Sequence, residues 1–576
     1  MNKQEILQKL SRRNFIRNSV IAATGATLLP SVLTSCEVVD DYFPIRDFGF
    51  PEGIASFDPT QDRVILWTRY TPASNEKGKP QILLDVATDS EFKQVLVSQP
   101  VEVDTASDNT VNVDVSNLTS NTKYYYRFRN ESNRAMSAVG ETRTLPAAGE
   151  ASEVKMAVVS CANYQSGLFN VYGAVAESDA DVVVHLGDYI YEYEVGGYGT
   201  NELTLALGRL HNPTGETITL NEYRARYRQY RRDEQLQKLH QLKPFICVWD
   251  DHEIANNAYE SGALNHQPGE GSYETRKLNA IQAWHEYLPA RVTDNAKIYR
   301  NFEVAGIVNL MMLDTRIVGR DKQLYYTDYL TPNGLDAAAF LTDWQNPNRT
   351  ILGSEQRSWL MSAMGSSSAK WQVLGSQVLM GKMFIPAELL LLVGQIAAGN
   401  AGPEVFAQFT ASVTQLVTIK VRILQGDPTV TDAERARVET VLPYNLDAWD
   451  GYPVEREIIY AAASGKELIS LAGDTHNAWH SDLSTVSGTR AGVEFATSSV
   501  TSPGLEALFG NDPETIGGLE QALTTLIDDL NYLNASDRGY VMATFSNNEA
   551  QSEWRFVETI AVKNTATFTE HTASEV

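Results

Sequence analysis

The chain has 576 residues, of which 43% are hydrophobic, so it can bury a large core and is long enough for more than one domain. Its formal net charge is −25, with 72 acidic and 47 basic residues. This balance argues against a stable nucleic-acid partner, which needs a basic surface. It would also repel an anionic substrate unless metal ions or arginines reverse the local field.

The first 36 residues are predicted to be a targeting signal and not part of the fold. A twin-arginine pattern at residues 11–16 is followed by a weakly apolar stretch, and residues 33–36 resemble a lipoprotein processing site. The stretch is too short, and too rich in Ala, Thr and Gly, for a comfortable membrane span. We therefore expect export by the twin-arginine route, a lipid anchor to the membrane at Cys36, and a periplasmic or cell-surface location in a bacterium. The alternative is an ordinary disordered N-terminus.

From residue 43 to residue 146 the pattern is that of β-strands. Short alternating runs are separated by turn-rich segments, and several short strands at regular spacing indicate a small, fibronectin-III-like β-sandwich. The predicted strands cover residues 64–69, 81–87, 110–115 and 123–130.

After a linker at residues 146–152 the pattern changes. Apolar runs alternate with helical stretches such as 220–239 and 275–288, which indicates a layered α/β domain with a largely buried sheet over residues 152–560. Residues 384–441 are helical in composition and contain few motif-like residues. We interpret them as an insertion that forms a lid or a cover over the cleft. Cys247 lies inside an apolar run and is interpreted as a small buried hydrophobic residue.

Five of the apolar runs end in polar residues that can bind metals. In an open α/β sheet, the carboxyl ends of the strands form the edge where ligands bind. Because five endings of one kind are hard to attribute to chance, we expect them to meet in one site. The residues that follow the runs are Ser160-Cys161-Ala162-Asn163, Gly187-Asp188-Tyr189, Asp250-Asp251-His252-Glu253, Asp314-Thr315-Arg316 and Gly473-Asp474-Thr475-His476.

These residue types favour a transition metal. Asp188 offers hard oxygens, His476 a borderline nitrogen and Cys161 a soft sulfur, a mixture that suits such an ion. Extra carboxylates can hold a second ion, with Asp188 as the bridge, as in two-metal sites for phosphoryl transfer. Asp474 and His476 are two residues apart, so in an extended chain both point to one side.

Each of these residues also has a structural interpretation when it is taken alone. Asp188 would cap a helix or close a turn, and Cys161 would be a buried apolar residue. The other structural interpretations are turn acids at Asp250 and Asp251, a core histidine at His252, and an ion pair between Asp314 and Arg316. The joint pattern favours the metal site.

The motifs resemble those of the PhoD-type alkaline phosphatases and phosphodiesterases, a family with a calcineurin-like metallophosphoesterase core. The resemblance runs from about residue 50 to about residue 556, and long motifs recur in order. The insertion at residues 384–441 is the main departure, and it bears on how a substrate reaches the site. The motifs that carry the resemblance are Ser160-Cys161, Gly187-Asp188-Tyr189-Ile190-Tyr191-Glu192, Trp249-Asp250-Asp251-His252-Glu253 with Asn256-Asn257, Leu313-Asp314-Thr315-Arg316 and Gly473-Asp474-Thr475-His476.

The resemblance implies a ferric ion, Fe(3+), with calcium ions, Ca(2+), beside it. Tyrosinate and thiolate are strong anionic donors for ferric iron, and calcium takes flexible all-oxygen sites. On the calcium side the resemblance implies Asp251 and Asn257, with Asp250 and Asn256 as the alternatives in register. The implied iron ligands are Cys161, Asp188, Tyr191, Asp474 and His476, with Asp188 bridging to calcium.

The reaction that the resemblance implies is direct in-line attack on phosphorus by a metal-activated hydroxide, without a covalent phosphoenzyme. His252 is the candidate to orient the substrate or to protonate the leaving group. Arg316 is the candidate phosphate clamp, because a guanidinium can contact two oxygens at once. Tyr189 and Tyr193 are expected to be packing or cleft-wall residues.

The predicted function is therefore hydrolysis of a phosphate mono- or diester, and no oligomeric state is predicted. One alternative is a lipid-anchored surface binding protein with an inactive hydrolase domain, but the complete ligand set argues against it. Another is a zinc- or manganese-dependent phosphoesterase, against which Cys161 and Tyr191 argue.

Overall fold

The computed structural model describes residues 48–74, 76, 78–332, 334–399 and 401–576. The predicted export signal and the predicted lipid anchor at Cys36 lie outside these residues, so both stay predictions. The boundaries 43–146 and 152–560 stay predictions as well.

The N-terminal part is a β-sandwich. One of its sheets has the order β1-β2-β5 and the other the order β4-β3-β6-β7, and a shared apolar core fills the space between them. The strands are β1 (Ile54–Phe57), β2 (Arg63–Arg69), β3 (Gln81–Ala87), β4 (Val95–Glu102), β5 (Thr110–Ser116), β6 (Lys123–Arg129) and β7 (Gly140–Arg143).

Residues from Glu153 onward form the α/β part. The strands are β8 (Glu153–Val159), β9 (Val182–His185), β10 (Pro244–Cys247), β11 (Arg300–Val304), β12 (Val308–Met312), β13 (Leu330–Thr331), β14 (Gly334–Leu335), β15 (Trp371–Gly375), β16 (Phe384–Pro386), β17 (Val441–Pro443), β18 (Glu467–Ala472), β19 (Ala478–Ser484), β20 (Arg490–Ala496), β21 (Leu530–Asn534), β22 (Gly539–Ser546), β23 (Ala550–Val557) and β24 (Thr567–Glu575). The helices are α1 (Asn170–Glu177), α2 (Glu202–Ala206), α3 (Leu220–Arg231), α4 (Glu234–Leu242), α5 (Tyr273–Tyr287), α6 (Ala337–Trp344), α7 (Gly353–Ser366), α8 (Ala387–Ala397), α9 (Pro403–Leu424), α10 (Asp432–Glu439), α11 (Pro453–Ala462), α12 (Glu506–Phe509) and α13 (Pro513–Leu526).

Two sheets pack against each other in this α/β part. The first sheet has the order β24-β23-β22-β8-β9-β10-β1-β2-β5, and the second the order β11-β12-β15-β18-β20-β19-β21. One hydrophobic core contains side chains from both sheets. The indole of Trp371 in the second sheet donates to the Ser546 carbonyl of the first at 2.6 Å, and Trp554 of the first donates to the Ala496 carbonyl of the second at 2.9 Å.

The structure contains two buried sheets where the apolar runs alone indicated one. The run Val182–His185 of β9 and the run Val308–Met312 of β12 are both fully buried, as strands covered on both faces are. Nothing in such a run tells which sheet it joins. The five motif-bearing strands are therefore divided: β8, β9 and β10 lie in the first sheet, and β12 and β18 in the second.

Strand β2 explains how the N-terminal sandwich joins the first sheet. Its side chains alternate between two cores, because successive residues of a strand point to opposite faces. Val64 and Leu66 lie in the sandwich core, whereas Ile65 and Trp67 lie in the core of the α/β part. Strand β1 also pairs in parallel with β10. The sheet is therefore continuous between the two parts.

The residues predicted as an insertion form a helical unit closed by a short ribbon. Strand β16 pairs with β17, and the helices α8, α9 and α10 lie between them. Helix α9 packs against α8, α10 and α13. No helix of the described residues is both long enough and apolar enough to cross a membrane.

Trp67 offers a test of the continuity between the two parts. Its ring is fully buried, its indole nitrogen donates to the Glu286 carbonyl at 2.7 Å, and the Arg231 guanidinium lies 4.1 Å from the ring centroid. We expect Trp67→Ala to lower the free energy of unfolding by about 3–5 kcal/mol. Trp67→Phe should cost less, because it keeps most of the buried ring.

Hydrogen-exchange mass spectrometry at increasing urea concentration would check this expectation. Both parts should lose protection in one transition that Trp67→Ala moves to lower urea. Separate transitions, with only the sandwich affected, would contradict the continuity.

Candidate metal centre

The carboxyl ends of four of the five motif-bearing strands, β8, β9, β10 and β18, bring metal-competent side chains together in one cluster. Within the described residues, three groups have ligand atoms that all lie within 4.8 Å of one another. Asp188 belongs to two of these groups and Asp251 to two, so the groups form one continuous set. The groups are Cys161 with Asp188 and His476, Asp188 with Asp251 and His252, and Asp250 with Asp251 and Asp474.

The backbone at this cluster is in an unusual conformation. A positive φ is uncommon for residues other than glycine, and it persists where the surrounding structure enforces it, often at functional sites. Gly187 also has a positive φ of 102°, and a Cβ there would lie 2.3 Å from the Asp250 nitrogen. The cluster residues with positive φ are Cys161 (61°), Asp188 (55°), Asn257 (54°), Asp474 (67°) and His476 (64°).

Glu253 fixes the two loops that follow β9 and β10. This buried carboxylate accepts backbone N–H bonds from Asp188 at 2.9 Å, Tyr189 at 2.7 Å and Asp250 at 2.8 Å. It therefore acts on the position of the metal-competent acids without being one of them. The sequence placed Glu253 inside a motif, but no signal in it indicated this role.

The ring orientation of His476 leaves one nitrogen free to bind a metal. Its Nδ1 lies 2.8 Å from the Pro503 carbonyl, to which it donates, and 2.9 Å from the hydroxyl of Tyr198. Its Nε2 therefore carries the lone pair and faces the Tyr191 hydroxyl at 3.1 Å. Burial lowers the pKa of His476 to about 3, which keeps the imidazole neutral.

Of the three tyrosines after Asp188, only Tyr191 has its hydroxyl in the cluster. That hydroxyl donates to Asp188 Oδ2 at 2.8 Å and accepts from Ser502 Oγ at 2.7 Å. The Tyr189 hydroxyl instead lies 2.9 Å from His240 Nε2, in the core. Tyr193 lies against the ring of His252, with 5.4 Å between the ring centroids.

The Cys161 thiol and the Tyr191 phenol both need a strong positive charge nearby in order to ionise. Burial, with the Asp188 carboxylate adding to it, raises the pKa of the Cys161 thiol and of the Tyr191 phenol well above their ordinary values. A bound metal ion inverts this preference, because a cation deprotonates the thiol that coordinates it. The donor set therefore fits a cation between these two side chains.

The side of the cluster that contains Asp250, Asp251 and Asp474, here called the acidic side, has several carboxylates close together. Burial, together with the neighbouring Asp251, raises the pKa of Asp250 to about 6, although Arg316 opposes the shift. Burial also holds the pKa values of Asp188 and Asp474 well above their ordinary range. Asp251 differs: although burial opposes it, Arg316 and His252 lower its pKa to about 2.

Arg316 is occupied by carboxylates. Its guanidinium is fully buried and pairs with Asp250 through Nε, with Asp447 at 2.6 Å and with Asp474 at 2.7 Å. In this arrangement it holds the acids in position and has no free edge for a phosphate. Its predicted role as a clamp therefore lacks support from the geometry and stays a prediction.

The alternative of an ion pair between Asp314 and Arg316 is not what the structure contains. Asp314 accepts the Trp249 indole N–H at 3.0 Å and the backbone N–H of Arg316 at 2.9 Å. It is a turn residue that fixes the loop after β12. Its position explains why the Arg316 side chain can reach the acids of other loops.

The carboxylate of Glu192 holds the His252 ring in place. Its Nδ1 lies 2.7 Å from Glu192 Oε2, and Glu192 Oε1 accepts from the Asn256 backbone at 2.7 Å. Its Nε2 points toward Asp251, with Oδ1 at 3.9 Å, and its ring stacks on Tyr191 with 4.2 Å between the centroids. The ring therefore lies inside the cluster in a fixed orientation.

Asn257 lies beside the acidic side. Its backbone N–H donates to Asp251 Oδ2 at 2.6 Å, whereas the Asn256 N–H is bound by Glu192. Asn257, Asp474 and His476 are only partly buried, so the cluster opens to solvent along these residues. All the residues predicted to bind metal are thus brought to one place.

Several residues that contact the cluster could not be identified from the sequence. Asp447 lies in an irregular loop after β17, and Ser502 and Tyr198 lie in loops without a metal-binding pattern. Their roles arise from contacts between segments far apart in the chain, such as the 2.6 Å bonds that Arg316 and Arg320 each donate to Asp447.

The fold and this cluster define a class: the chain is a metal-dependent phosphoric ester hydrolase. The family model described as PhoD-like phosphatase matches residues 156–554, and the model of the N-terminal domain of PhoD-like phosphatases matches residues 40–146. The chain therefore belongs to the PhoD-like phosphatase family.

Two relatives agree with this membership. The chain is 30% identical over 578 residues to alkaline phosphatase D of Bacillus subtilis (strain 168), covering 96% of this chain and 86% of that protein. A solved structure described as the structure of PhoD is 28% identical, covers 92% of this chain and 90% of that chain, and has a TM-score of 0.71. The family resemblance and the predicted fold, a β-sandwich followed by a metallophosphoesterase domain, are thereby confirmed.

Glu253 provides a test of how the loops are positioned. We expect Glu253→Ala to lower metal affinity and turnover by about 10–100-fold, because three backbone N–H groups lose their shared acceptor. Metal content and steady-state kinetics of the purified variant would measure both effects.

Glu494→Ala is the matched control. Glu494 is another buried glutamate that accepts two backbone N–H bonds, from Met380 at 2.7 Å and Gly381 at 2.9 Å. It should lose stability but keep its metal. Full metal content and full activity in Glu253→Ala would show that Glu253 does not position the ligands.

Proposed function

We propose that the chain hydrolyses phosphoric monoesters or diesters at a mixed centre of ferric iron and calcium. The observation that carries the proposal is the position of the Tyr191 hydroxyl, 2.8 Å from Asp188 and 3.1 Å from His476 Nε2. A phenol, a thiol and an imidazole around one carboxylate form a donor set suited to a transition metal and unsuited to calcium or magnesium alone.

The iron side would be held by residues from three loops, those after β8, β9 and β18. Cys161, Asp188 and His476 have ligand atoms within 4.8 Å of one another, and Tyr191 bonds to the last two. Asp474 lies with Asp250 and Asp251 in the same set, so it connects the two sides. The proposed iron ligands are Cys161, Asp188, Tyr191, Asp474 and His476.

The calcium side would be held by oxygen donors. Asp188 and Asp251 have carboxylate oxygens in one group, and Asn257 lies next to Asp251. Calcium accepts carboxylate and amide oxygens in flexible geometry. Asp250 and Asp474 are further oxygen donors on this side, and both carry raised pKa values that a cation would relieve.

When bound, the metal ions would acidify a water molecule and neutralise charge on the phosphoryl oxygens. Among the chain's own residues, His252 is held by Glu192 in an orientation that directs Nε2 into the cluster. Although burial opposes it, Asp251, Asp188 and Glu192 raise the pKa of His252 well above its ordinary value. A protonated His252 would orient a phosphoryl oxygen or give its proton to the leaving alcohol.

The substrate would be an anion bound by an acidic chain of net charge −25. Cations at the cluster make the local field positive, which reconciles this charge with an anionic substrate. The name of the Bacillus subtilis relative, alkaline phosphatase D, supports a phosphatase reaction for this chain too. A stable nucleic-acid partner is not part of the proposal.

We also propose that the enzyme is exported by the twin-arginine route and anchored through Cys36. The free cysteines of the described residues, Cys161 and Cys247, are both buried and unpaired, which accords with folding in a reducing cytoplasm before export. The proposed location is the periplasm or the cell surface.

Colour tests the assignment of iron. A tyrosinate bound to ferric iron absorbs visible light, so the purified holoenzyme should be coloured. Tyr191→Phe should lose the absorption band and most of the turnover, whereas Tyr189→Phe, which alters a hydroxyl outside the cluster, should keep both. A colourless, fully active enzyme would contradict the assignment of iron. An unchanged absorption band in Tyr191→Phe would contradict the assignment of Tyr191 as its ligand.

Membrane association tests the proposed anchor. Cys36→Ala should move the protein from the membrane fraction to the soluble fraction of the producing cells, while its specific activity stays the same. Cys247→Ala is the control, because that thiol is buried in the core. If Cys36→Ala stays with the membranes, the lipoprotein proposal fails.

A further inference from the structure

The ring of Tyr193 lies beside the metal centre and is only partly buried. Its centroid is 5.4 Å from that of His252 and 5.7 Å from that of Tyr198. His252 points its Nε2 into the cluster, and the Tyr198 hydroxyl lies 2.9 Å from His476 Nδ1. Tyr193 therefore borders two side chains that reach the cluster.

Two buried side chains fix the backbone of Tyr193. His211 Nδ1 donates to the Tyr193 carbonyl at 2.9 Å, and Arg226 Nη1 donates to the same oxygen at 3.3 Å. The preceding residue, Glu192, accepts from the Asn265 amide at 2.8 Å. A side chain on such a fixed backbone is held in place before a substrate binds.

The hydroxyl of Tyr193 is free to donate a hydrogen bond. Three tyrosine rings pack against His252, those of Tyr191, Tyr193 and Tyr198. The Tyr191 hydroxyl is bound inside the cluster, and the Tyr198 hydroxyl donates to the Pro503 carbonyl at 2.9 Å. The Tyr193 hydroxyl makes no hydrogen bond within the part of the chain that the structure describes. A phenol keeps its proton at neutral pH, so this O–H group is available to a ligand.

A phosphoryl group at this centre needs hydrogen-bond donors from the protein as well as metal ions. Donors aimed at oxygens that gain charge in the transition state are a main source of catalysis. The Arg316 guanidinium is occupied by Asp250, Asp447 and Asp474. His252 supplies one donor, and the free hydroxyl of Tyr193 lies next to it.

We propose that the Tyr193 hydroxyl donates a hydrogen bond to a nonbridging phosphoryl oxygen of the substrate, an inference that rests on the proposed function. Tyr193 is then a catalytic residue and more than a packing residue of the cleft wall. It makes the contact to phosphate that the sequence had suggested for Arg316. Because the contact is to the phosphoryl group itself, it serves the binding of inorganic phosphate as well as the turnover of an ester.

Tyr193→Phe tests this contact on the metal-loaded enzyme. Phenylalanine keeps the ring against His252 and removes no hydrogen bond within the described residues, so the variant should fold and keep its metal content. We expect kcat/KM to fall by about 10–100-fold, for p-nitrophenyl phosphate or, if only diesters are cleaved, for bis(p-nitrophenyl) phosphate. The affinity for inorganic phosphate, measured by titration calorimetry, should fall by about tenfold.

Tyr125→Phe is the matched control. Tyr125 is a partly buried tyrosine on β6 of the sandwich, and its hydroxyl has no hydrogen bond within the described residues either. Its turnover and phosphate affinity should match those of the unaltered enzyme.

A second substrate distinguishes the phosphoryl oxygen from the leaving oxygen. Phenyl phosphate, or the phenyl diester if only diesters are cleaved, has a poorer leaving group than the p-nitrophenyl ester. Tyr193→Phe should slow both esters by the same factor, because a contact to a nonbridging oxygen does not depend on the leaving group. A loss confined to the phenyl ester would assign Tyr193 to the leaving group and overturn the proposed contact.

The remaining outcomes separate this inference from the proposed function. Unchanged phosphate affinity in Tyr193→Phe, at any rate of turnover, would overturn the inference and leave Tyr193 as a wall residue. Loss of bound metal in the variant would overturn it too, since Tyr193 would then act on the metal site. If the unaltered metal-loaded enzyme hydrolyses no phosphoric ester, the proposed function fails and the inference falls with it.

Discussion

Repulsion among carboxylates is the constraint on which the rest of this structure depends. Asp188, Asp250 and Asp251 are buried within one cluster, and Asp474 lies beside them at its open side. Charges this close repel strongly in a medium of low polarity, and burial alone already disfavours each of them. The arrangement persists only if positive charge is delivered to it.

The chain delivers part of that charge itself. Arg316 reaches Asp250, Asp447 and Asp474 with one guanidinium, and His252 lies between Asp251 and Glu192. The His252 ring stacks on Tyr191, but burial still opposes ionisation of the Tyr191 phenol and of the Cys161 thiol. The remaining compensation is what the proposed ferric and calcium ions would supply.

This geometry requires strained backbone conformations in the loops that carry the cluster. Cys161, Asp188, Asp474 and His476 all have positive φ values, and these loops are held by Glu253 and by the Pro503 carbonyl. The strands behind the loops come from two sheets that are tied together through their tryptophans. A rigid double sheet is thus the support for a cluster that would otherwise open.

Much of the site could be predicted because each motif follows a continuous apolar run. Such a run is buried on both faces, and its carboxyl end is a common place for ligands. Strand β2 was predicted at residues 64–69, but its position between two cores was not predicted.

What the sequence could not predict depends on contacts between distant segments. Runs of the same kind, in β9 and β12, entered different sheets because local pattern carries no record of the partner strand. Arg316 was expected to face a phosphate, but its surroundings are set by Asp447, which lies 131 positions further along the chain.

Elemental analysis of the purified holoenzyme tests the central claim most directly. The metal content per chain would be measured before chelation, after chelation, and after iron and calcium are restored separately and together. The account predicts about one iron per chain with calcium beside it, loss of turnover on chelation, and full recovery only with both metals. Full activity in a chain that contains neither iron nor calcium would contradict it.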